Sequence, residues 1–287
     1  MAARKNILSL LEMKRAGRKI TAVACYDYTT AQWVSRAGVD MILVGDSAAQ
    51  VIFGYESTLP ATMDMMVMLT AAVRRGAPDV CLVADMPFLS YQTSPADAVR
   101  NAGRFVREAD AQIIKMEVSA AYLDAVKAVS DAGMAVMAHI GIRPQSITKL
   151  GRLKAEGTTA ELAYELLELS ENMVRAGAGA LLLEGTAREA AALIARQSPV
   201  PVISCGSGPD CDGQILVISD ILGLSTGPMP KFSRHFAELG PAVEQAVTAY
   251  VQEVREGRFP DDSQCYHIKP GELEKLTQIL THRTKNQ

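Results

Sequence analysis

Short apolar runs recur along this chain, each ending in glycine or a polar residue and each followed by a stretch of helical period. The runs occupy 21–25, 40–46, 80–87, 111–117, 134–141, 179–185 and 199–206, with a weaker eighth at 220–225. Runs of this length, rich in Val, Ile and Leu and bounded by turn residues, read as buried strands. Between them lie amphipathic patterns such as 94–110 and 159–177; Ser94 supplies an N-cap for the first, with Pro95 in the first helical position. In "MAARKNILSLLEMKRAGRK" (1–19) charges interrupt the apolar residues at helical spacing, which predicts an N-terminal helix and not a signal peptide.

Strands alternating with helices imply parallel pairing through right-handed crossovers, and eight such units predict an α/β fold, a (β/α)₈ barrel. A doubly wound open sheet is the competing architecture. The barrel is preferred because no Rossmann-type glycine fingerprint follows the first strand; the motif "GSGPDCDG" (206–213) comes only after the seventh. That motif reads as a tight turn, with Asp212 capping a helix over 213–221, or as a phosphate loop. With no linker in view, the chain reads as a single domain, 1–287, in which 269–287 form a C-terminal extension carrying an appended helix.

Composition narrows the function. Hydrophobic residues make up 48% of 287, enough for a sizeable core, yet no apolar run is long enough to span a bilayer. A cytoplasmic protein without membrane partners is expected. The net charge of -3 gives no general attraction to nucleic acid. Five cysteines without a CxxC pair argue against a disulfide framework, and four histidines without HExxH argue against a zinc hydrolase.

Barrel chemistry sits at the C-terminal ends of the strands. Those ends carry Asp27, Asp46, Asp85, Lys115, Glu117, His139 and Glu184. Side chains two apart on a strand share a face, so Lys115 and Glu117 point into one space. Several carboxylates gathered in a small volume repel one another unless a cation joins them. Oxygen donors with no cysteine among them favour a hard ion such as Mg²⁺. A 2-oxo acid could complete its coordination, and the ion would then stabilise the enolate formed when a neighbouring C–H is deprotonated. Blander roles stand beside this: Asp46 or Ser47 as an N-cap, Asp85 as a turn residue, His139 as a satisfied core histidine, Lys115–Glu117 as a structural ion pair. The fifth loop, 143–157, carries Arg143, Lys149, Arg152 and Lys154, and is either a binding segment or a solvated basic loop.

Taken in order, "YDYTTAQ", "LVGDS", "GYESTLPAT", "VADMPF", "IKME", "AHIGIRPQS", "LLLEG" and "DGQILVISDILGL" make the chain resemble the ketopantoate hydroxymethyltransferase family over about residues 5–268. The resemblance implies a (β/α)₈ barrel in a homo-oligomer, often decameric, and an Mg²⁺-dependent transfer of a one-carbon unit from methylenetetrahydrofolate to 2-oxoisovalerate in pantothenate synthesis. Carried over by position, it implies Asp46 and Asp85 as metal ligands and Glu117 as an outer or water-mediated one. It also implies Ser47 and Lys115, beside Asp85, as groups that hold the oxo acid, Glu184 as catalytic base and His139 as an active-site histidine. The chain departs from the family's usual pattern at Ala48-Ala49-Gln50 and, in the fifth loop, at Leu153 and Glu156. The alternatives are a metal–enolate C–C lyase or mutase acting on another 2-oxo acid, and a paralogue of altered oxo-acid specificity. A "KKCGH"-type loop, common in the lyases of the wider superfamily, is missing here.

Overall fold

The computed structural model of the chain describes residues 4–285. Eight parallel strands, β1 (Ile20–Ala24), β2 (Met41–Val44), β3 (Cys81–Asp85), β4 (Ile113–Glu117), β5 (Ala135–Gly141), β6 (Ala178–Glu184), β7 (Val202–Cys205) and β8 (Gly213–Val217), follow one another around a closed barrel. The ring closes where β8 pairs with β1, Ile20 lying opposite Gly213. Every residue of β2, β3 and β4 is buried. Packing on both faces is why these strands read as unbroken apolar runs rather than as alternation.

Helices cover the outside, and side-chain caps start them where the sequence changes period. Ser94 accepts from the Asp97 amide with Pro95 in the first turn, Thr62 accepts from Met65, and Thr159 accepts from Leu162. Asp27 is spent in the same way: its carboxylate caps the helix Tyr28–Arg36 through the Thr30 amide. The N-terminal helix spans Ile7–Arg15 with Leu10 and Met13 buried, and residues 1–3 of the expected helix lie outside the described residues.

The end of the barrel corrects the sequence reading. The eighth strand is Gly213–Val217, and 218–221 form a short helix, so no strand occupies 220–225. Residues 206–212 carry the chain from β7 back to β8 with no helix between. Asp212 therefore caps nothing. Its Oδ2 accepts from Lys14 Nζ at 2.7 Å and from the Val202 amide at 2.8 Å, tying the N-terminal helix to β7. Glycine is required at 213 because a Cβ there would stand 2.5 Å from the Ile20 carbonyl oxygen.

The chain divides into two compact units, Met1–Ala237 and Glu238–Gln287. The second holds the helices Leu239–Arg255 and Glu272–Lys285, so the extension expected from 269 corresponds to only the later helix; residues 286–287 lie outside the described residues. Within this unit Tyr250 and Phe259 meet edge to face, ring centres 5.5 Å apart. Among the described residues no helix is long and apolar enough to cross a membrane.

Candidate active site

Asp46 and Ser47 follow β2 after Gly45, and Asp85 is the last residue of β3. The Asp46 amide donates to Asp85 Oδ2 at 3.0 Å, and Lys115 Nζ donates to the same oxygen at 2.6 Å. Asp85 Oδ1 is buried with no partner. Burial raises the Asp85 carboxyl to about 7; the Lys115 charge opposes that rise and the Asp46 charge adds to it. Burial works against the Lys115 ammonium, but Asp85 and Asp46 outweigh it, so the lysine stays protonated and is raised above its usual range.

Glu117 ends β4 on the same face as Lys115, as alternation requires. Its Oε2 accepts from the Gln145 amide at 2.9 Å and its Oε1 from Ser146 Oγ at 3.1 Å. Burial raises its proton affinity, while His139 and the Gln145 amide lower it. Lys115 bonds Asp85, so the Lys115–Glu117 structural pair is not what forms. His139 lies on β5 and Glu184 ends β6; His139 Nε2 is 3.3 Å from Glu184 Oε2, and neither ring nitrogen has a hydrogen-bond partner. A satisfied core histidine is thereby excluded. Gly141, at φ 96°, lets β5 run close beside the Glu184 backbone; a Cβ there would sit 2.3 Å from the Glu184 carbonyl oxygen. Ser47 makes no cap; its Oγ is 2.8 Å from the Tyr26 hydroxyl.

These strand-end groups share one cavity of about 230 Å³: Asp46, Ser47, Asp85, Lys115, Glu117, His139 and Glu184 all line it. Asp27, spent as a cap, does not. An adjoining cavity of about 590 Å³ shares Ser47, Gln50 and Asp220 with it. Neither Asp220 nor Gln145 stands out from the sequence. Gln145 follows β5 by four positions inside the quoted "RPQS", and its Nε2 donates to Asp46 Oδ2 at 2.8 Å.

Among the described residues no three His, Cys, Asp or Glu side chains converge as a ready-made metal cage. Mg²⁺ does not need one, because it binds through one or two carboxylates and leaves its other positions to water and substrate. The partnerless, fully buried Asp85 Oδ1 beside Asp46 fits such an ion: a carboxylate oxygen removed from water needs a positive partner, and Lys115 serves only its twin.

Fold and site together define a (β/α)₈-barrel enzyme whose mouth gathers carboxylates, a lysine and an imidazole around a small cavity. The chain belongs to the ketopantoate hydroxymethyltransferase family, whose profile matches residues 4–262. It is 42% identical over 273 residues to the 3-methyl-2-oxobutanoate hydroxymethyltransferase of Carboxydothermus hydrogenoformans, covering 95% of this chain and 99% of that protein. It is 44% identical over 261 residues to the enzyme of the same name from Chlorobaculum tepidum, covering 90% and 94%. In structure it is similar to phosphonopyruvate hydrolase, solved in complex with oxalate and Mg²⁺, with TM-score 0.59, 15% identity and coverage of 97% and 96%. It is likewise similar to 2,3-dimethylmalate lyase, a member of the PEP mutase/isocitrate lyase superfamily, with TM-score 0.58, 19% identity and 98% coverage of both chains. These two likenesses concern the fold.

Proposed function

We propose that this protein transfers a hydroxymethyl group from methylenetetrahydrofolate to 2-oxoisovalerate, giving ketopantoate for pantothenate synthesis. The observation that carries this is the pairing of Asp46 with a buried, half-satisfied Asp85 in the cavity that Glu184 also lines. Asp46 and Asp85 would hold Mg²⁺, with Glu117 outside them. When bound, the ion supplies Lewis-acid polarisation of the keto group.

The chain's own residues account for the rest. Lys115 stays charged and presents its ammonium to an anionic oxo acid. Ser47, held by Tyr26, offers a hydroxyl at the same wall. Glu184 Oε2 takes the proton from C3 of the oxo acid, and His139 stands beside it to share that proton. The first cavity suits a small branched oxo acid, and the larger one beside it gives the one-carbon donor a place to approach. The same reading makes the protein a cytoplasmic homo-oligomer, a decamer by family resemblance.

The test is direct. The purified protein, with Mg²⁺, methylenetetrahydrofolate and a panel of 2-oxo acids, should yield ketopantoate from 2-oxoisovalerate, identified by mass spectrometry. Cleavage of another oxo acid without folate, and no product from 2-oxoisovalerate, would overturn the proposal.

A further inference from the structure

Gln145 stands at the centre of a hydrogen-bond knot that the reaction above does not require. It is 3% exposed. Both protons of its side-chain amide are placed: Nε2 donates to Asp46 Oδ2 at 2.8 Å and to the Met86 carbonyl oxygen at 2.9 Å. Its Oε1 accepts from the Tyr91 hydroxyl at 2.8 Å and from Gln92 Nε2 at 3.2 Å. Its backbone amide donates to Glu117 Oε2. Both amide protons are used, Oε1 faces the Gln92 amide and a Tyr91 hydroxyl that it shares with the Glu117 carbonyl oxygen, and the orientation of the side chain is decided by these neighbours. Turned over, Oε1 would face the Asp46 carboxylate and a carbonyl oxygen, and both contacts would be repulsive.

We infer that Gln145 is a positioning residue for the cation: its Nε2 holds one oxygen of Asp46 and thereby turns the other toward the space beside Asp85. The inference rests on the metal reading above and adds to it a residue that touches no metal and no substrate. One short turn, Pro144–Ser146, then orients two carboxylates at once, Asp46 through the Gln145 side chain and Glu117 through the Gln145 amide and Ser146 Oγ. Groups that orient a metal ligand in this way set its affinity without bonding the metal.

A role confined to loop anchoring would look different. It would depend on Tyr91, which meets Gln145 Oε1 and lies 2.6 Å from the Glu117 carbonyl oxygen, as much as on Nε2. Three variants separate the two roles. Gln145→Met keeps length and removes the donor. Gln145→Asn keeps the amide but is one methylene shorter, withdrawing it from Asp46. Tyr91→Phe removes the hydroxyl that serves Oε1 and the Glu117 carbonyl oxygen, and leaves Nε2 with both of its acceptors. Mn²⁺ serves as probe, with binding read from the electron paramagnetic resonance of the free ion, without substrates, on proteins matched to wild type by circular dichroism.

Both Gln145 variants should weaken Mn²⁺ binding by at least about tenfold, the low end for residues that orient metal ligands, and Tyr91→Phe should stay within about threefold of wild type. Wild-type affinity in either Gln145 variant overturns the inference and leaves the metal site standing. Equal weakening in Tyr91→Phe also overturns it, in favour of loop anchoring. A wild-type protein that binds no Mn²⁺ overturns the metal reading and the inference together.

Discussion

His139 and Glu184 meet across neighbouring strands, Nε2 to Oε2 at 3.3 Å, and both line the cavity, Glu184 being the more open of the two: its side chain is 23% exposed and that of His139 2%. In the proposed reaction the more open carboxylate takes the role of base. A C–H beside a ketone is a weak acid, and a carboxylate becomes an adequate base for it when the keto oxygen is polarised. Deprotonation needs no folate. The wild-type protein with Mg²⁺ should exchange the C3 proton of 2-oxoisovalerate with deuterated water when folate is absent, as followed by NMR. Glu184→Gln should lose exchange by at least about a hundredfold while still binding the oxo acid. Exchange at the wild-type rate would place the base elsewhere, with His139 the next candidate.

Removal of the cation gives a second prediction. Thorough chelation should abolish turnover, and added Mg²⁺ should restore it. Asp46→Asn combined with Asp85→Asn should abolish Mg²⁺-dependent activity with circular dichroism unchanged, because two neutral amides cannot replace two carboxylates around a hard ion. Full turnover by the double variant or by the chelated wild type defeats the metal assignment.

The barrel was legible because its strands are buried on both faces. Runs such as Met41–Val44 and Ile113–Glu117 are conspicuous, and a carboxylate at the end of such a run stands out as costly. β8 was hidden for the opposite reason. Gly213 and Gln214 begin it, Gln214 is exposed, and its apolar letters run straight on into Ile218 of the short helix Ile218–Ile221. The residues that the family resemblance named all line one cavity, but Gln145 was left unmarked. Its partners Asp46, Met86 and Tyr91 are 99, 59 and 54 positions away, so the knot exists only once loops from three strands have closed over the barrel.

Stability at the opposite end of the barrel should follow pH through Asp40. Its Oδ1 accepts from Lys5 Nζ at 2.7 Å, and its Oδ2 accepts from the Thr21 amide at 2.9 Å and the Thr21 hydroxyl at 2.7 Å. Partial burial raises its carboxyl, but these bonds outweigh burial and hold it below the ordinary 3.8. A depressed folded-state pKa means stabilisation that is complete above 3.8 and lost as pH falls through the folded value. Asp40→Asn should therefore cost about 1 kcal/mol in urea unfolding at neutral pH, allowing for partial exposure. The gap from wild type should close on the acid side of that window. A gap that does not change with pH would assign the cost to packing.

The fifth loop gives the last prediction. Lys149, Arg152 and Lys154 are exposed, and their segment is secured at both ends. At one end Gln145 and Ser146 bind Glu117. At the other Glu156 pairs with Thr186, its amide donating to the Gly185 carbonyl oxygen at 3.0 Å and its own carbonyl accepting from the Ala187 amide at 2.9 Å. The cations thus sit on a segment tied at one end to Glu117 and at the other to the backbone that follows Glu184. Of the two proposed substrates, folate is the larger, and its glutamate tail is anionic. Exposed charge pairs contribute at most about 1 kcal/mol each. Replacing Arg152 and Lys154 together by alanine should raise the KM for methylenetetrahydrofolate by roughly five- to thirtyfold and leave that for 2-oxoisovalerate nearly unchanged. Added salt should shrink the difference, because screening acts on the wild-type attraction and not on the neutral variant. Equal changes for both substrates, or a difference indifferent to salt, would return this loop to an ordinary solvated surface.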